Sequence, residues 1–111
     1  MTIRWEDFEK IDIRTGTIIE VRDFPRANKP AYQVTIDFGT VIGFKQSSAQ
    51  LTTHYEKNDL IHRQVVAVIN FAPKNIAGFM SECLILGVYD ENNDVILLQP
   101  GKPVANGMKI G

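Results

Sequence analysis

Twelve consecutive residues constrain this chain more than any other feature. From Ile11 to Arg22, the positions Ile11, Ile13, Thr15, Thr17, Ile19 and Val21 alternate with Asp12, Arg14, Gly16, Ile18, Glu20 and Arg22. A period of two over that length predicts one long strand whose Ile11–Val21 series is buried. It exceeds the roughly 5–6 residues of an ordinary strand. Gly16 falls in its middle, where glycine often marks a bulge or a sharp bend. A long first strand that bends at Gly16 can serve both halves of a small closed barrel.

The rest of the chain supplies the partners such a strand needs. Tyr32, Val34, Ile36 and Phe38 alternate with Gln33, Thr35 and Asp37 in a second strand, which follows the proline-punctuated loop Phe24–Pro30. Gly39 supplies a turn, and residues 40–44 are expected to return as a third strand. The polar stretch Lys45–Tyr55, anchored by Leu51, reads as a loop with a short helix. Gln64–Ile69 is a β-branched run, expected to be a strand buried on both faces. Residues 70–79 read as a loop, Ser81–Tyr89 as a strand, and Val95–Leu98 as its return across a turn at Asn92-Asn93. Residues 5–9 suit one or two helical turns in which Trp5 and Phe8 share a face, with two acids favouring the helix start. Five or six strands, one helix between the third and fourth, and no βαβ alternation predict an all-β, five-stranded Greek-key OB-fold barrel. A short N-terminal helix, a short connecting helix and a turn-rich C-terminal extension complete it.

At 111 residues the chain is expected to be one domain, 1–111, with residues 1–10 and 99–111 as extensions. Cys83 is the only cysteine, so no intramolecular disulfide and no multi-cysteine zinc site can form. The polar, acidic N-terminus does not read as a signal peptide, and no apolar run reaches the roughly 20 residues of a membrane helix. A cytoplasmic location without membrane insertion is expected. The net charge of −1 argues against a strong sequence-independent nucleic-acid binder.

Catalysis lacks its parts. Neither a G-x-S-x-G elbow nor a phosphate-binding glycine loop is present. His54, His62 and Cys83 fall short of a four-ligand zinc set with motif spacing. No catalytic residue, metal or cofactor is therefore assigned, and binding is expected rather than catalysis. The informative stretch is Asn70–Ser81. It joins two strong strands and should lie on the surface, yet it carries Phe71, Ile76, Phe79 and Met80. These can cap the barrel or project as an apolar binding surface that repacks around varied ligands. Asn70, Lys74 and Ser81 stand beside them as polar contacts.

Asp12–Gly16, Asp37–Thr40, Lys45–Leu51, Val68–Phe71, Ile76–Phe79, Ser81-Glu82 and Leu97–Pro100 together resemble the tRNA-binding-domain family along essentially the whole chain. The likeness is strongest to its export-associated chaperones. This resemblance implies an OB-fold homodimer joined through the chain ends, with Trp5, Phe8, Val104, Met108 and Ile110 in the interface. It implies an ATP-independent chaperone for unfolded, export-destined preproteins, with links to the translocation machinery. The wider family binds tRNA across the loop that here runs from Asn70 to Ser81, with Ser48, Asn70, Lys74 and Ser81 as RNA contacts. That pattern commonly has an Arg-Lys pair after the loop proline and a further basic residue before the glycine. Here Lys74, Asn75 and Ala77 stand in those places. Each phosphate neutralised contributes about 0.7–0.9 to the salt slope, so fewer cations imply weak tRNA binding. Capture of peptides by Phe71, Ile76, Phe79 and Met80 is unaffected by that loss.

Overall fold

The computed structural model describes all residues, 1–111. Its long first strand, β1 (Ile13–Asp23), pairs antiparallel with two others. Its second half meets β2 (Tyr32–Asp37), and its first half meets β4 (Gln64–Val68). β2 pairs in turn with β3 (Phe44–Ala49). Two hairpins follow β4: β5 (Lys74–Ile76) with β6 (Phe79–Ser81), and β8 (Gly87–Tyr89) with β9 (Val95–Leu97). Between them β7 (Leu84–Ile85) adds to β4, giving the sheet order β3-β2-β1-β4-β7. The seam between β3 and the segment before β7 is bridged by two bonds. Glu82 N–H donates to the Gln46 carbonyl at 2.8 Å, and Gln46 N–H donates to Glu82 Oε1 at 3.0 Å. The result is the nearly closed five-stranded barrel of an OB-fold.

The face expected to line the interior is not the one that does. Gly16 and Ile18 point into the barrel, and a bulge between Ile18 and Glu20 then hands the interior to Val21. Ile19 is left exposed. The bend therefore lies at the bulge, three positions after Gly16. Gly16 serves a different need, because a Cβ there would stand 2.6 Å from Ile36 Cγ2 and 2.8 Å from Phe38 Cδ1. Only a residue without a side chain lets β1 run this close to the core.

Ile13 faces outward with Val66 and Val68, and a second apolar cluster covers them from Phe8, Leu86 and Ile110. This explains why β4 is apolar from Val65 to Val68. Val65 and Ala67 belong to the interior cluster with Val34, Ile36, Phe38 and Leu60. The C-terminal segment lies along the first half of β1. Met108 and Ile13 carbonyls accept from Thr15 and Ile110 N–H, Gly107 N–H donates to the Thr15 carbonyl, and Thr15 Oγ1 donates to the Ala105 carbonyl.

Three further expectations move. The third strand lies at Phe44–Ala49, not at 40–44, of which residues 40–42 form a turn. Its inward residues are the small Ser47 and Ala49, so it carries no apolar alternation. The connecting helix, α2 (Lys57–Leu60), falls after the Lys45–Tyr55 stretch and is anchored by the fully buried Leu60. The expected strand Ser81–Tyr89 is broken into β6, β7 and β8. The helix at the N-terminus, α1 (Trp5–Glu9), is where it was expected, and Asp7 accepts from the Arg4 N–H at its start.

Candidate binding surface

The stretch expected to be a loop is instead a hairpin that stands off the barrel. β5 and β6 form their own two-stranded sheet, with Lys74 opposite Ser81, Asn75 opposite Met80 and Ile76 opposite Phe79. Its two-residue turn places both Ala77 (φ 48°) and Gly78 (φ 87°) in the left-handed region. That is the signature of the mirror-image turns that match the twist of paired strands. Asn75 Oδ1 accepts from the Gly78 N–H at 2.8 Å and holds the turn.

Two tethers fix the hairpin between the loop after β1 and the free edge of β3. Phe79 meets the buried Phe24 edge-on, with ring centroids 5.4 Å apart. On the other side Gln46 Nε2 donates to the Met80 carbonyl at 2.9 Å, and Ser48 N–H donates to Ser81 Oγ at 3.1 Å. A cleft opens between the hairpin tip and the loop after β1, lined by Phe24, Pro25, Arg26, Gln33, Gly78 and Phe79.

The sequence candidates divide. Phe79 and Ile76 are half-buried, whereas Met80 (42 % exposed) and Phe71 (57 % exposed) stand in solvent. Ser48, Lys74 and Ser81 come together through the hairpin pairing and the Ser48–Ser81 bond. Asn70 does not join them. Its Oδ1 accepts from the Asp12 N–H at 3.0 Å, and its Nδ2 donates to the Lys10 carbonyl at 2.7 Å. Both ends of the amide thus tie the N-terminal segment to the end of β4. Phe24, Arg26 and Gln46 were missed as site residues. An aromatic and a cation flanking Pro25 were the available signal, but only folding brings that loop against residues 77–79.

Among the chain-end candidates, Phe8 and Ile110 are half-buried against Val66 and Val68 of their own chain. Trp5 (71 % exposed), Val104 and Met108 remain on the surface. The Trp5 ring stands 5.8 Å from that of Phe8. Gln64 clamps Val104 through both its backbone groups, donating to the carbonyl and accepting from the N–H. Val104 is therefore presented in a fixed position.

Cys83 lies buried behind the site, and burial pushes its thiol up to about 12. It stays protonated near neutral pH and is a poor nucleophile. No helix is long and apolar enough to cross a membrane.

Residues 13–109 match a family described as "Putative tRNA binding domain". Over 108 residues the chain is 39 % identical to methionine–tRNA ligase of Thermococcus onnurineus (strain NA1), which covers 97 % of this chain but only 14 % of that enzyme. Two crystal structures superpose over nearly the whole length. One is the chaperone CsaA of Bacillus anthracis str. Ames, with 49 % identity, a TM-score of 0.94 and 100 % of both chains covered. The other is the CsaA chaperone protein of Picrophilus torridus, with 50 % identity, a TM-score of 0.93, and 99 % of this chain and 100 % of that one covered.

Proposed function

Because this chain belongs to the tRNA-binding-domain family, in its CsaA branch, we propose that it is an ATP-independent chaperone that holds unfolded, export-destined preproteins as a homodimer. Binding, not catalysis, is its work, and the cytoplasm is where such clients are met. The carrying observation is the hairpin beside the free edge of β3. It offers Met80 to solvent, with Phe79 and Ile76 half-buried beside it and Lys74 as its one cation, and Phe71 stands exposed in the segment that leads into it. A fully buried Phe contributes roughly 1.5–3 kcal/mol, so two or three partial contacts give the weak, sequence-tolerant grip a holding chaperone needs. A client would lie across the hairpin, its apolar side chains on Phe71, Phe79 and Met80. Lys74, Ser48 and Ser81 would meet its backbone carbonyls. Trp5, Val104 and Met108, exposed near the chain ends, would carry the dimer contact, with Phe8 and Ile110 supporting them from beneath.

Arg26 favours a second reading. It lines the cleft beside Phe79 and adds a cation that the sequence pattern of the hairpin lacks. A tRNA backbone could track from Lys74 to Arg26 with a base stacked on Phe79. Whole-enzyme activities of the methionine–tRNA ligases are not carried over, since the chain spans 14 % of that relative.

One comparison decides between them: binding of tRNA and of an unfolded preprotein at matched salt, with Phe79→Ala and Lys74→Ala. The chaperone reading expects feeble tRNA binding and client binding that weakens in Phe79→Ala. Tight tRNA binding lost mainly in Lys74→Ala would sink it. Light scattering that finds a monomer at micromolar concentration would remove the proposed dimer.

A further inference from the structure

Folding gives His54 a partner set that its sequence neighbourhood does not suggest. Its Nε2 lies 2.7 Å from Asp90 Oδ2, across 36 positions of sequence. The Asp94 carboxylate completes the group, and one ligand atom from each of the three residues lies within 4.8 Å of the others. His54 sits on the turn after β3, while the two aspartates flank the turn that joins β8 to β9. The juxtaposition is thus made by the tertiary fold, not by a local loop.

Both carboxylates are held in place from outside the trio. Asp90 Oδ1 accepts from the N–H groups of Asn92 at 2.8 Å and Asp94 at 3.0 Å, which leaves Oδ2 facing the imidazole. Thr53 Oγ1 donates to Asp94 Oδ1 at 3.1 Å, leaving its other oxygen free. Outer hydrogen bonds of this kind orient ligands in metal sites. One imidazole and two carboxylates suit a borderline first-row dication such as Zn²⁺, whereas Ca²⁺ and Mg²⁺ take oxygen ligands. Bonds of about 2.0–2.2 Å to nitrogen and oxygen set the edges of a tetrahedral site at about 3.3 Å. The His54–Asp90 pair would open by about half an ångström, and the free oxygen of Asp94 would close in. His54 is exposed enough to admit an ion, and water would fill the fourth position.

We propose that His54, Asp90 and Asp94 form a surface site for one Zn²⁺ ion, which would clip the turn after β3 to the β8–β9 hairpin. The site lies apart from the hairpin of the proposed function and does not depend on that reading.

The test is calorimetric titration of the tag-free chain with zinc chloride, alongside His54→Ala, Asp94→Asn and His62→Ala. The expected result is one ion per chain, affinity lowered at least tenfold in His54→Ala and Asp94→Asn, and no more than a twofold change in His62→Ala. Thermal melts guard against misfolding: zinc should raise the Tm of the parent and leave that of His54→Ala where it was. No binding by the parent, or binding that survives His54→Ala, leaves only a hydrogen-bonded His–Asp pair and overturns the proposal.

Discussion

The barrel interior and the β5–β6 hairpin are built from similar residues and put them to opposite uses. Inside the barrel, Ile18, Val34, Ile36, Phe38, Leu60 and Val65 are almost wholly removed from water. On the hairpin Ile76 and Phe79 are half covered and Met80 stands open, as does Phe71 in the segment leading into β5. The barrel strands share their backbone bonds within one five-stranded sheet, whereas the hairpin strands pair only with each other and hang on Phe24, Gln46 and Ser48. The comparison shows that where a strand is tethered, not the type of its residues, leaves apolar side chains exposed here, where the proposed function would use them.

Substitutions should reveal that contrast as a falling series. Phe38→Ala removes the largest fully buried side chain and should cost about 3–5 kcal/mol by urea unfolding. Gly16→Ala keeps every existing contact but forces a methyl against Ile36 and Phe38, at a cost of about 1–3 kcal/mol. A neutral result there would show that β1 can retreat from the core. Phe79→Ala loses an edge-on aromatic contact worth about 0.5–1.5 kcal/mol, while client binding should drop clearly. Should it unfold the chain as severely as Phe38→Ala, the hairpin belongs to the core and the comparison fails. Phe71→Ser should change stability by no more than about 0.5 kcal/mol, as surface substitutions do, and still reduce client capture in an aggregation assay.

The smallest effect is a pH slope. The backbone hydrogen bond from Asp94, and after it the bond with His54, hold the Asp90 carboxyl below its usual range. A carboxyl depressed in the folded state stabilises above its unfolded pKa, about 3.9. That contribution is lost as the pH falls through the lower folded value. Asp90→Asn should therefore flatten the loss of stability below pH 4, measured by thermal melts, and leave the curve above pH 5 parallel to that of the parent.

What could be read in advance follows from how strongly each segment signals its environment. β2 alternates cleanly because one of its faces meets the core and the other meets water, and Val34, Ile36 and Phe38 are buried as expected. β4 announced itself by having no polar face, and both its faces are indeed covered. β3 was hidden because its inward positions are Ser47 and Ala49, small enough to fit against neighbouring strands but too polar or too short to register as a hydrophobic pattern. β1 misled for the opposite reason. Ile13 and Thr15 are buried, but beneath the chain ends instead of inside the barrel, and the bulge after Ile18 leaves Ile19 exposed before Val21 takes the interior. At the candidate site, the apolar residues and Lys74 were legible, whereas Arg26 and Phe24 come from a loop some fifty residues away in sequence.

The sequence by itself determined the class of fold and the residues from which a binding surface could be made. Period-two alternation, turn residues and the uninterrupted run of β4 are local consequences of backbone geometry. The tertiary structure alone decided which apolar residues stay exposed. It also placed Asn70 as a tie for the N-terminal segment, and set His54 beside Asp90 and Asp94. Those outcomes depend on where β1 changes face and where the barrel closes between Gln46 and Glu82. Contacts between residues distant in the chain leave no periodic mark on it.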